Sequence, residues 1–155
     1  MYLRTFVDLP MDFDDVRASL LGGLPPSCLT GAAEVAEREC VDLLDAAGLS
    51  AGGRVASWPS AVEAESPVAT DRLASLPLFL YAGRALLTQL ATLDAGWLGA
   101  GRTHLSLSMS YDSRLDEVGD IAELRDRALV HRVHEAVARR FLDAVAERML
   151  EAVPA

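Results

Sequence analysis

The sequence predicts one α+β domain, residues 1–155, in which a curved antiparallel sheet is covered by a long C-terminal helix. Three observations lead there. Residues 102–111 alternate, with Leu105, Leu107, Met109 and Tyr111 on one face and three serines on the other, as a sheet covered on one side requires. Residues 121–152 contain no Gly or Pro, and an apolar stripe runs through Leu124, Ala128, Val130, Val133, Val137, Phe141, Ala144, Val145 and Met149. Along the chain the patterns succeed one another as strand, two helices, a run of strands and a helix, which places helices on one face of an antiparallel sheet.

Residues 3–9 alternate and carry Thr5, Phe6 and Val7, which suits a strand ended by Pro10. Asp12 is positioned to cap a short helix, with Asp15 three residues on and Phe13, Val16 and Leu20 on one side. Gly22 to Pro26 breaks the chain. Residues 31–47 keep a helical spacing through Ala32, Val35, Ala36, Cys40, Leu43 and Leu44, with Gly48 as a left-handed stop. Beyond Gly53 the period shortens to two, giving strand candidates at 54–58 and 61–65. In residues 72–81, Leu76, Leu78 and Leu80 oppose Phe79 and Tyr81, and Pro77 requires an unpaired edge or a bulge. Residues 86–97 satisfy either a helix or a strand, and their neighbours favour the strand. The final helix, at 1.5 Å per residue, is about 45 Å long. One such helix lying over a curved sheet leaves room for a cavity, filled by side chains or by a ligand.

Composition narrows the function classes. The chain of 155 residues is 51% apolar, enough to build a core, and no run approaches a membrane span. No basic stretch followed by an apolar one opens it, so a cytoplasmic protein is expected. All 14 basic residues are arginine, and they are scattered against 23 acidic ones for a net charge of −9, which argues against binding nucleic acid or an anionic surface. Cys28 and Cys40 stand without a CxxC pair or a histidine cluster and read as idle thiols, not as a disulfide or zinc site.

The stretch Gly101-Arg102-Thr103-His104-Leu105-Ser106-Leu107-Ser108-Met109-Ser110-Tyr111, followed by Arg127-Ala128-Leu129-Val130-His131-Arg132-Val133 within a β-α-α-β(n)-α order, resembles the START/SRPBCC superfamily of helix-grip proteins. That group includes lipid-transfer domains, a major birch pollen allergen and polyketide cyclases. The resemblance implies a deep, mostly apolar cavity between the sheet and the C-terminal helix that takes a lipid, polyketide or other hydrophobic metabolite. It does not imply catalysis, and no catalytic motif of one branch is present. The expected order holds five or six strands where that fold usually has seven.

Within this frame the candidate ligand-binding residues are Trp58, Leu78, Phe79, Tyr81 and Trp97 of the strand region and Leu105, Leu107, Met109 and Tyr111 of the last strand. On the long helix they are Val130, His131, His134, Val137 and Phe141. Each apolar member serves equally well as core, because parity alone does not tell a cavity wall from packing. His131 and His134 lie three apart and share a helical face, but a metal needs further ligands and Glu135 points elsewhere, so neither metal nor cofactor is expected. Arg102 and Arg127 can hold a carboxylate at a pocket mouth, or simply be surface charges.

Three functions fit. The first is a binding module that carries a hydrophobic small molecule, acting as a monomer or homodimer. The second is a cyclase- or dehydratase-type enzyme in which Tyr111 and His131 exchange protons with the ligand, which requires both to face one void. The third is an interaction module with a filled interior and an exposed apolar patch.

Overall fold

A computed structural model describes residues 2–48, 61–82, 87–110 and 126–152. The elements, in chain order, are β1 (Tyr2–Leu9), α1 (Phe13–Leu21), α2 (Pro26–Ala46), β2 (Ala61–Ala64), β3 (Val68–Ala69), β4 (Leu73–Ala82), β5 (Leu87–Gly99), β6 (Arg102–Ser110) and α3 (Asp126–Ala152). The six strands form one antiparallel sheet in the order β1-β6-β5-β4-β2, with β3 also paired to β4. The layout is the α+β helix-grip one that the sequence led us to expect. The segment 86–97, which fitted two periodicities, is strand. The strand candidate at 54–58 lies outside the described residues.

Register assembles the inner face row by row. Leu3, Met109, Ala91 and Leu78 stand side by side, as do Thr5, Leu107, Leu93 and Leu76, and then Val7, Leu105, Ala95 and Ala74. Apart from Val7, which is half-buried, all of these are buried, and all but Thr5 pack into one hydrophobic core with residues of the three helices. The opposite face carries Phe6, His104, Ser106, Ser108, Thr92, Asp94 and Ser75, with hydrogen bonds from Arg4 to Ser106 and from Ser75 to Asp94. The period of two therefore translates into one greasy and one polar face.

Cover for the greasy face is shared, where the sequence suggested a single helix. α1 lies against β4 and β5 with Phe13, Val16 and Leu20 buried. α3 lies against β1 and β6 and packs along α2, which in turn reaches β2. The reason is the length of α2: its 21 residues begin at Pro26, ahead of the expected start at Gly31. The proline pair that reads as a chain break is the helix start, since proline's fixed φ and missing N–H suit the first turn. The Cys28 N–H then donates to the Pro25 carbonyl at 2.8 Å.

Local contacts fix how the helices lie. A Cβ at Gly31 would stand 2.7 Å from Arg148 Nη2, so glycine there lets the Arg148 guanidinium lie across α2. Burial pushes the Cys28 thiol above its ordinary 9.0, and the nearby Arg148 charge draws it partly back. Gly48 adopts φ +72° and ends α2 in the left-handed conformation expected of it. Asp12 sits at the N-cap of α1 but its side chain makes no cap bond. Its Oδ1 instead accepts the Gly101 N–H at 2.6 Å, and Thr103 Oγ1 donates to the Met11 carbonyl at 2.9 Å. Both bonds tie the β5–β6 hairpin to the loop before α1, so a residue suited to local capping serves a long-range tether.

Pro77 stands where pairing changes hands. β2 stops at Ala64 opposite Leu78, β3 starts at Val68 opposite Ser75, and between them Pro77 accepts the Glu65 N–H at 2.9 Å through its carbonyl. β4 is an inner strand and not the edge that the proline suggested; the absent proline N–H falls in the gap between β2 and β3.

Candidate functional site

The 27 residues of α3 differ along their length. From Phe141 to Met149 the inward positions Phe141, Leu142, Ala144, Val145, Ala146 and Met149 are all buried. Nearer the N-terminus Val133, Val137 and Ala138 are buried as well, while Ala128 is exposed, His131 and His134 are half-buried, and Arg132, Glu135 and Arg139 reach solvent. Here a groove of about 300 Å³ opens between α3 and the edge strand β1, lined by Thr5, Arg132, Glu135, Ala136 and Arg139.

Each lining residue is placed by its element. Thr5 follows the inward parity of Leu3, Val7 and Leu9 and stands beside Leu107, so a hydroxyl sits among the mostly apolar side chains of this face. Arg132 and Arg139 lie seven apart, about two helical turns, and therefore rise from one side of α3. Glu135 lies between them at the spacings that ordinarily give ion pairs within a helix. Yet Arg139 Nε donates to both carboxylate oxygens of Asp143, at 3.1 and 3.3 Å. Arg132 and Glu135 make no ion pair among the described residues.

The candidate ligand-binding residues whose side chains are described divide into four groups. Leu78, Leu105, Leu107, Met109, Val137 and Phe141 come together, each at most 1% exposed, as parts of the hydrophobic core. Phe79 does not join them: it stands on the face of β4 opposite Leu78, because neighbouring strand residues point to opposite sides. Trp97 keeps the inward parity of Leu93 and Ala95 but lies at the hairpin end, 54% exposed, with the Arg72 guanidinium 5.7 Å from its ring centre. His131 and His134 share α3 with the groove residues, and each has an interaction partner.

Trp58 and Tyr111 lie outside the described residues, as do the side chains of Tyr81, Val130 and Arg127. The Tyr111–His131 pairing that a cyclase mechanism needs therefore has no described geometry. Arg102, a candidate anion holder, is engaged with Asp8 at 3.3 Å. Among the described residues no group of three His, Cys, Asp or Glu is arranged to hold a metal, and no helix is long and apolar enough to cross a membrane.

Sequence reasoning missed Thr5, Arg132, Glu135, Ala136 and Arg139. A signal was present in the seven-residue spacing of two arginines around a glutamate and in a threonine at an inward strand position. It identifies a groove only once β1 is known to be the edge strand that α3 lies along.

No protein-family model and no curated protein sequence matches this chain. Similar solved structures include a conserved protein from Geobacillus kaustophilus, 10% identical, with 98% of this chain and 97% of that one covered and a TM-score of 0.56. A hypothetical protein from Helicobacter pylori is 11% identical over 96% of this chain and 88% of its own, at a TM-score of 0.48. The Zhui aromatase/cyclase from Streptomyces sp. R1128 is 14% identical over 100% and 96%, at 0.45. At 10% identity the Geobacillus likeness concerns the fold alone.

Proposed function

We propose that this chain binds a small hydrophobic molecule between β1 and the N-terminal half of α3. The observation that carries the reading is the groove itself, which opens between Thr5 of β1 and Ala136 of α3 while Val133, Val137 and Ala138 of the same half stay buried. The helix-grip layout supports it, because that arrangement sets a helix across a concave sheet where a ligand can lie. Ala136 and Thr5 supply the uncharged part of the lining in this reading, and His131 and His134 lie on the same half of α3.

The test is native mass spectrometry of the purified chain together with titration of a fluorescent hydrophobic probe. A bound molecule of defined mass, and one probe site lost when Ala136→Trp fills the groove, are expected. No co-purifying molecule, with probe binding indifferent to Ala136→Trp, would overturn the reading.

A second reading has its own observation. The outer face of β1 and β5 exposes Tyr2, Phe6 and Leu90, at 65%, 56% and 61%, which is the exposed apolar surface that an interaction module requires. Mixed dimer and monomer populations in sedimentation, shifted to monomer by Phe6→Ser, would favour it over a carrier.

A further inference from the structure

We infer that β1 is the edge at which two copies of this chain pair, antiparallel about a two-fold axis at Phe6, with Arg4 of each copy opposite Asp8 of the other. The inference rests on the interaction reading above and adds the partner and the register. The two ends of the sheet differ. At one end β2 is four residues long, β3 beside it has two, and α2 reaches β2. At the other end β1 is eight residues long, contains no Gly or Pro, and follows β6 from Tyr2 to Leu9 without a bulge. Short, covered or bulged edges are how sheets avoid pairing with other chains, whereas a long regular edge presents a row of N–H and C=O groups to a further strand. Among the described residues β1 pairs with β6 alone, and the groove beside Thr5 leaves open space between this strand and α3.

The side chains select both the partner and the register. Opposed residues of an antiparallel pair share a face, so a two-fold copy meets β1 with outward residues opposite outward ones. Centring the pair on Arg4 sets two like charges together, and centring it on Thr5 or Val7 leaves Asp8 opposite an aromatic ring. Centring it on Phe6 places Arg4 opposite Asp8 on both sides of the axis with the two rings between them, while Leu3 meets Leu9 and Thr5 meets Val7 on the inner face. Opposite charges and aromatic pairs are the favourable cross-strand combinations, and like charges the unfavourable ones. Phe6 is 56% exposed, and its ring lies 5.0 Å from that of His104 on the same outer face. Arg4 donates to Ser106 through Nη2 and has further N–H groups for a carboxylate. Asp8 accepts from Arg102 at one oxygen and lies 3.0 Å from His104 Nδ1 at the other, and two carboxylate oxygens accommodate more donors than these. The charges that discourage a foreign strand thus favour a second copy.

Sedimentation of the full chain over a range of concentrations tests this. A dimer is expected, weakened about tenfold or more by Arg4→Asp and likewise by Asp8→Arg, because each change turns two attractions into two repulsions. Mixing the two variants should restore a heterodimer of near-original affinity, since each then meets opposite charge at both positions. That recovery also shows both variants to be folded. Leu90→Ser, two strands in from the edge, should leave the dimer unchanged. A dimer indifferent to Arg4→Asp, above all one weakened by Leu90→Ser, would sink the edge pairing and leave the interaction reading standing. Two weakened variants that do not recover on mixing would sink the register in the same way. If the chain is monomeric at every concentration, the interaction reading falls and takes this inference with it.

Discussion

The two halves of α3 have the same amino-acid vocabulary, alanine, valine, arginine and glutamate, and play different parts. Between Phe141 and Met149 the inward side chains of the helix are shut from water, and Arg148 lies against Gly31 of α2. Between His131 and Arg139 Val133, Val137 and Ala138 are shut from water too, but Arg132, Glu135 and Arg139 border open space across from the edge strand β1. The difference teaches that the amphipathic stripe of a helix sets what it is able to bury, and its neighbours set what it does bury.

The sharpest way to break the comparison is to substitute matched positions in each half. Phe141→Ala removes a fully buried ring, and a loss of about 3–5 kcal/mol is expected in denaturant unfolding, as for other large-to-small core changes. A loss under 1 kcal/mol would mean that the sealed half is not sealed.

A second effect, confined to alkaline pH, reports on the contact between α2 and the C-terminal part of α3. Cys28 keeps its proton to higher pH when folded than when unfolded, because burial disfavours the thiolate more than Arg148 favours it. Above pH 9.0 the folded state then binds more protons than the unfolded one, so stability falls as pH rises. Cys28→Val should flatten this alkaline decline and leave stability below it with no new pH dependence. An unchanged slope between pH 8 and 10 in thermal melts would show that Cys28 is not desolvated.

The smallest effect on stability belongs to the open half. Arg132→Gln should change unfolding free energy by less than about 0.5 kcal/mol, since an exposed arginine with no ion pair has little to lose. A loss near that of Phe141→Ala would place Arg132 in the structural framework and remove it from the binding surface.

Much of this was legible residue by residue. The alternation of Leu105, Leu107 and Met109, the inward side of α1 at Phe13, Val16 and Leu20, and the stop at Gly48 all follow from side-chain direction and backbone freedom within a few residues. Asp12 shows where such reasoning ends. Its type and position fit a helix cap, but a backbone N–H 89 residues away offered a bond that only the folded chain brings near. Pro26 shows another limit: the same residue that breaks a helix inside it can begin one, and the pattern of prolines alone does not say which.

The candidate site was the least legible part, for a related reason. His131 and His134 drew attention because histidine chemistry is conspicuous, while the groove is lined by threonine, alanine, arginine and glutamate, residue types common on any surface.

Periodicity, which is local, determined by itself that this chain has a long apolar-striped helix, a strand with one greasy face, and the order that joins them. Tertiary structure decided which strand became the edge, that α1 shares the cover with α3, and that Thr5 meets Arg132, Glu135 and Arg139 at a groove. Those facts depend on contacts between residues far apart in the sequence. A one-dimensional pattern fixes which way each side chain points but not what stands opposite it.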